Sequence, residues 1–303
     1  MTPKTEPVDT AHPPAAPAAQ LVLTADAAAQ ARLRGDRRRA LSRAVLRALG
    51  NALLTIVVLL VLWQAVVSFT GISPYVAKGP LDVWNYLFID EDAAAHRELL
   101  VPLVGQTLLD AVVGFVVGMI VAVVLAVAFS LSKSVEAGVM PLVLLLRTIP
   151  LVSIAPVIIL ITGRGTTASV AVIGTIVVLF PALANVLFGL SRASRQSLDV
   201  VHVFGGSRSM ALRKVNLPGA MPSVFAAARV SVPAAVTGAL LAEWLSTGLG
   251  IGGAILKFNA QAQFAQLWGA IAIITLITLV LYNIVQVAES FVLTRMGMSG
   301  GTR

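Results

Sequence analysis

Cysteine is absent from the 303 residues, which excludes disulfides and thiolate metal sites and leaves the redox compartment unreadable. Charge is scarce: 12% of residues are Asp, Glu, Lys or Arg, where a soluble domain carries about 25%. Three histidines, His12, His96 and His202, lie far apart without metal-ligand spacing, and no Ser/His/Asp set falls on one site. No G-x-x-x-x-G-K-[ST] run occurs, so no phosphate cradle for ATP is present. The glycines of GLGIGGAIL (248–256) resemble a dinucleotide fingerprint, but no strand precedes them. With no catalytic residue and no metal site to point to, the chain reads as a conduit rather than an enzyme.

What is abundant is apolar. Hydrophobic residues make up 57% of the chain and mean hydropathy is +0.90, so lipid is the expected solvent. The net charge of +8 flanks apolar runs, the pattern of a membrane topology signal rather than of a nucleic-acid footprint. Residues 1–30 are rich in Ala, Pro and Thr without an apolar period and read as a disordered tail. From Ala40, small and apolar residues recur at helical spacing opposite Arg39, Arg43 and Arg47. Residues 31–50 therefore read as a basic amphipathic helix at the headgroup layer, or equally as a basic flank to the first span. Residues 51–295 form the transmembrane domain, and 296–303 a short tail.

A bilayer span takes about 20 apolar residues. Six candidates fit: 51–69, 104–129, 138–162, 168–190, 223–242 and 267–293. The expected fold is an all-α membrane protein of six helices. Four spans hold one charge each, Asp110, Arg147, Arg229 and Glu289, with both acids near span ends and Arg147 deep. Pro141, Pro150 and Pro156 each remove a backbone donor from the third span, which predicts a broken helix covered by protein or lining a cavity. Gly114 and Gly118 in the second form a small-xxx-small pair suited to close packing. With the N-terminus inside, Lys and Arg divide 16 to 4 in favour of the cytoplasmic segments, placing both termini in the cytoplasm.

One cytoplasmic segment stands out. LDVVHVFGGSRSMALRKVNLPGAMPS (198–223) carries Arg208, Arg213, Lys214 and His202 between two very apolar stretches. Ser197 to Phe204 suits a short helix, with Asp199 in its first turn complementing the dipole. Gly205 and Gly206 end it, one of them at positive φ. Ser207 caps a second helix to about Val215, stopped by Pro218. The segment is either a protrusion of two helices at about 197–217 or an ordinary basic loop. Arg147 lies nine residues into its span, about 13 Å deep. A charge there faces a cavity or a partner: it is an electropositive element on the path of an anionic solute, or a structural pair with Glu243.

Asp199-Val200-Val201, three residues, Gly205, nine residues, then Val215-Asn216-Leu217-Pro218 resembles the cytoplasmic EAA loop of bacterial ABC importer permeases. That loop runs Glu-Ala-Ala, three residues, Gly, nine residues, Ile, one residue, Leu-Pro. This chain departs from it in the first triplet. RTIPLVSIAPVIILITGRG (147–165) and AARVSVPAAVTGALLAEWLSTGLGIGG (227–253) look like segments of the nitrate/sulfonate/taurine group. The resemblance covers roughly residues 95–295. It implies the type I importer (MetI-like) fold and a multi-pass subunit of the bacterial plasma membrane, paired with a second copy of itself. Two ATPase subunits would bind the ATP and Mg, and an external solute-binding protein would deliver the solute, a sulfonate, taurine, nitrate or thiamine-precursor pyrimidine. It also implies that Asp199, Val200, Val201, Gly205, Gly206, Val215, Leu217 and Pro218 dock the ATPase. Arg147 and Glu243 are candidates for the translocation pathway. The alternative is an ion- or proton-coupled secondary transporter, which would show an internal repeat and intramembrane acids. A scaffold without transport would leave the broken third span unexplained.

Overall fold

The computed structural model describes residue 54 and residues 56–296. The tail at 1–30, the amphipathic helix at 31–50 and the last residues of the chain lie outside the described part. The chain divides into two units, one ending at Thr70 and the other starting at Gly71. In the first, α1 (Ile56–Phe69) is a charge-free helix, shorter in its described part than a span requires.

The second unit is all-helical among its described residues. Its elements are α2 (Pro80–Trp84), α3 (Ala93–Leu131), α4 (Lys133–Thr148), α5 (Leu151–Thr162), α6 (Thr167–Ser191), α7 (Arg195–Val203), α8 (Arg208–Ala211), α9 (Leu217–Ala242), α10 (Gly250–Ala260) and α11 (Phe264–Arg295). Single π turns extend α2 to Ile89, join α8 to α9 over Leu212–Asn216, and carry α9 on to Thr247. Four helices, α3, α6, the run Arg208–Thr247 and α11, are long and apolar enough to cross a membrane, and α4 with α5 makes a fifth if the bent pair is one span.

The core is where α3, α6 and α9 pack together. Along α3 the buried residues Leu100, Val104, Thr107, Ala111, Gly114 and Gly118 alternate steps of four and three, which keeps one narrow seam facing inward. Lipid is as apolar as leucine, so contact between such helices depends on close approach. A Cβ on Gly174 of α6 would lie 2.6 Å from Cα of Gly114, and one on Gly238 of α9 would lie 3.0 Å from Cα of Gly174. The three glycines let three backbones meet at one level, as the Gly114/Gly118 pair predicts.

The third span breaks once. α4 and α5 meet at 110°. Pro150 is the N-cap of α5, and Ile149 before it is extended at φ −76°, ψ 124°, because a residue preceding proline is pushed out of the helical region. Pro141 and Pro156 stay inside helices. α3 extends beyond the expected span 104–129 at its start, beginning at Ala93, its first turns held by Arg97 Nη1 donating to the Leu87 carbonyl at 2.5 Å and by the His96 ring against the Tyr86 carbonyl at 2.8 Å. One expected boundary is corrected. Pro218 does not stop the second short helix. It sits in the first turn of α9, and the π turn over Leu212–Asn216 leads α8 directly into that helix, so that one run extends from Arg208 to Thr247.

Candidate functional site

α6 and α9 run antiparallel. At one end Asn216 Nδ2 donates to the Leu190 carbonyl at 2.9 Å. At the other Gly165 N donates to Ser246 Oγ at 3.1 Å, and Ser246 Oγ lies 2.9 Å from Ser169 Oγ. Between their first-named ends stand α7 and α8.

Ser194 caps α7, accepting from Ser197 N at 3.2 Å, so the helix begins at Arg195. Asp199 therefore falls in the second turn, not the first: the cap, Ser194, stands three residues before the expected start at Ser197. Gly205 closes α7 at φ +72°. Its N–H donates to the His202 carbonyl at 2.9 Å and that of Gly206 to the Val201 carbonyl at 2.8 Å, the paired 5→2 and 6→1 bonds of a Schellman cap. Ser207 then caps α8 through Met210 N at 3.3 Å. Glycine is required at both positions for different reasons. At 205 the backbone is left-handed with open space around it, and at 206 a Cβ would run into the Val201 side chain and lie 2.7 Å from its carbonyl oxygen.

α7 buries none of its residues. Asp199, Val200, Gly205 and Pro218 of the expected docking set are exposed, and Val201, Gly206, Val215 and Leu217 are half-buried, shaping the bend from beneath. Ala211 and Leu212 are buried and anchor α8. The sequence reading passed over the tip itself, where Val203 and Phe204 are 82% and 86% exposed. Two large apolar residues directly before a Gly-Gly turn in a polar segment were the available signal.

Arg147 occupies the last turn of α4 at the elbow. It is exposed in the protomer and its guanidinium stands 4.0 Å from the ring centroid of Phe180 on α6, a cation–π geometry. It forms no ion pair with Glu243, so the expected pair is corrected: Glu243 lies past the end of α9, fully buried, and has other partners. Its Oε2 accepts from Thr107 Oγ1 at 2.9 Å and from Gly252 N at 2.7 Å, while Thr107 Oγ1 accepts from Ile251 N at 2.8 Å. The carboxylate thus sits at the N-terminus of α10, where amide groups and helix dipole favour it. Gly250, at φ +60°, leaves room that a Cβ would take from this carboxylate. Asp110 of α3 is buried, one turn along from the Thr107 that bonds Glu243. The intramembrane cation Arg229 pairs with Glu289 of α11, Nη1 to Oε2 3.1 Å.

Long apolar helices packed through glycine, with a proline-broken pair and a capped helical protrusion, mark an integral membrane protein. The family of binding-protein-dependent transport system inner membrane components matches residues 114–297, more than half of the chain, and the chain belongs to it. It is 31% identical over 230 residues to a probable ABC transporter permease protein of Haemophilus influenzae, covering 76% of this chain and 91% of that one. It is 33% identical to the riboflavin transport system permease protein RibX of Chloroflexus aurantiacus, covering 78% and 86%. To the taurine transport system permease protein TauC of Escherichia coli it is 24% identical, covering 80% and 86%. The protein is thus an ABC permease of the group that includes sulfonate and taurine permeases, and a multi-pass protein of the bacterial inner membrane.

Proposed function

We propose that the chain is the permease subunit of an ATP-driven importer and forms the path of a small solute handed over by an external binding protein. It works as a pair of copies, each with six spans and both termini in the cytoplasm. Two ATPase subunits bind the ATP and Mg, and α7–α8 is the element they grip. The observation that carries this reading is the exposed apolar tip, Val200, Val203 and Phe204, held on a rigid capped bend among basic residues. An exposed aromatic on a preorganised helix pair has the character of an interface anchor. Asp199, Val200, Gly205 and Pro218 meet the partner, and Val201, Gly206, Val215 and Leu217 fix the angle of approach.

Arg147 lines the pathway at the elbow of the third span and favours an anionic solute, such as a sulfonate, taurine or nitrate. Full burial keeps Glu243 off any surface a solute reaches in this conformation, so its part is to hold the outer end of the pathway together. The buried Asp110–Glu243 pair is the feature on which a proton-coupled carrier would draw. Phe204→Asp is expected to insert and purify normally yet lose the ATPase subunits in a pull-down. ATPase retention by this variant at the wild-type level would overturn the assignment of the tip.

A further inference from the structure

The node where α9 meets α10 contains two carboxyl groups and no cation. Glu243 is fully buried and Asp110, reaching it from α3, is 8% exposed. Neither makes an ion pair with a Lys, Arg or His among the described residues. The groups that face them are neutral: Gln106 and Thr107 from α3, and the amides of Ile251 and Gly252 from α10. Ser169 of α6 and Ser246 of the π turn bond to one another.

Counting lone pairs and protons leaves one gap. Glu243 Oε2 has its two donors, and Asp110 Oδ1 accepts from Gln106 Nε2 at 3.2 Å. Glu243 Oε1 and Asp110 Oδ2 are buried and receive nothing from any donor among the described residues, and Asp110 stands on the same face of α3, one turn along, as Thr107, whose Oγ1 bonds Glu243. Two ionised carboxylates held this way would repel, and their unmatched oxygens would be desolvated without return. A single proton removes both difficulties. It makes one carboxyl a donor to the other, and the one remaining charge rests on the amides at the start of α10.

We infer that Asp110 and Glu243 form a buried binding site for one proton, which they share, and that this proton joins α3 to the α9–α10 turn. The node is independent of which solute is carried and of how the ATPase docks. Its proton is a structural ligand rather than a transported one, since Glu243 is fully buried and Asp110 nearly so.

The test is infrared spectroscopy of the full chain in lipid nanodiscs at neutral pH, with thermal melting of the same samples. Wild type is expected to show the carbonyl stretch of a protonated carboxylic acid, and both Asp110→Asn and Glu243→Gln should abolish it. Both amide variants should melt where wild type does, because an amide N–H supplies permanently the hydrogen bond the proton provides. Glu243→Leu, which accepts nothing from Gly252, should melt lower. Absence of the acid band in wild type, or a band that survives both amide substitutions, would overturn the inference. So would a melting temperature that depends on sodium in wild type and not in Glu243→Gln, which would show a metal cation in the proton's place.

Discussion

Replacing Gly205 by Val places a β-branched residue at φ +72° with nothing within 4 Å of the new Cβ. No clash is involved, so the penalty is conformational, about 1–2 kcal/mol for leaving glycine's left-handed freedom. Gly206→Ala fails by a different route. Its Cβ overlaps the Val201 side chain and sits 2.7 Å from the Val201 carbonyl, so the 2.8 Å bond that closes the cap must open. A lost hydrogen bond of about 1 kcal/mol and about 1–3 kcal/mol of overpacking act together there. Neither figure unfolds a membrane bundle anchored by α3, α6 and α9. Each is enough to turn α8 relative to α7, and about 1.4 kcal/mol is a tenfold change in an equilibrium. Both variants should therefore insert and dimerise normally but bind the ATPase subunits about tenfold more weakly or more, with hydrolysis uncoupled from uptake. Gly219→Ala is the control, the same chemical change at a site with open space and ordinary φ. Pull-down of the ATPase and uptake into proteoliposomes measure the effect. Wild-type binding and transport by Gly205→Val would refute the claim that this bend aims the protrusion.

Gly174→Val forces Cβ into the Gly114 backbone 2.6 Å away and should cost at least about 3 kcal/mol, read as a fall in melting temperature and yield, whereas Gly138→Ala, with nothing within 4 Å, should do no harm. Arg229→Met leaves Glu289 without its partner at 3.1 Å and should destabilise by on the order of 3 kcal/mol; the double exchange Arg229→Glu with Glu289→Arg should recover much of the loss in the same melting assay. Arg147→Ala should lower the uptake rate while leaving assembly and ATPase binding unchanged, and Phe180→Leu should reproduce part of that deficit, both measured in proteoliposomes.

The break in the third span, the bend and the cap were legible where one local rule decides. Pro150 breaks the third span because it constrains Ile149, and Gly205 takes positive φ because it ends a helix. Gly114 and Gly118 announced close packing, though nothing in their spacing indicates that Gly174 and Val178 are the residues they meet. The end of the second short helix was not legible, because a π turn leads it on into α9 past Pro218. The Asp110–Glu243 node was illegible because it is tertiary. The acids are 133 positions apart, and only the antiparallel course of α3 and α9 joins them. Arg147 illustrates the converse. Sequence identified a costly charge, but its companion is an aromatic ring, which no rule of charge pairing would select.

Uptake of the solute by proteoliposomes containing the permease tests the central claim directly. The full system, with ATPase subunits, ATP and Mg inside and the loaded binding protein outside, should accumulate solute at a rate that survives collapse of every ion gradient by ionophores. The permease alone, under an imposed proton or sodium gradient, should accumulate none. Accumulation by the permease alone that is abolished by the ionophore would contradict the account and establish an ion-coupled carrier.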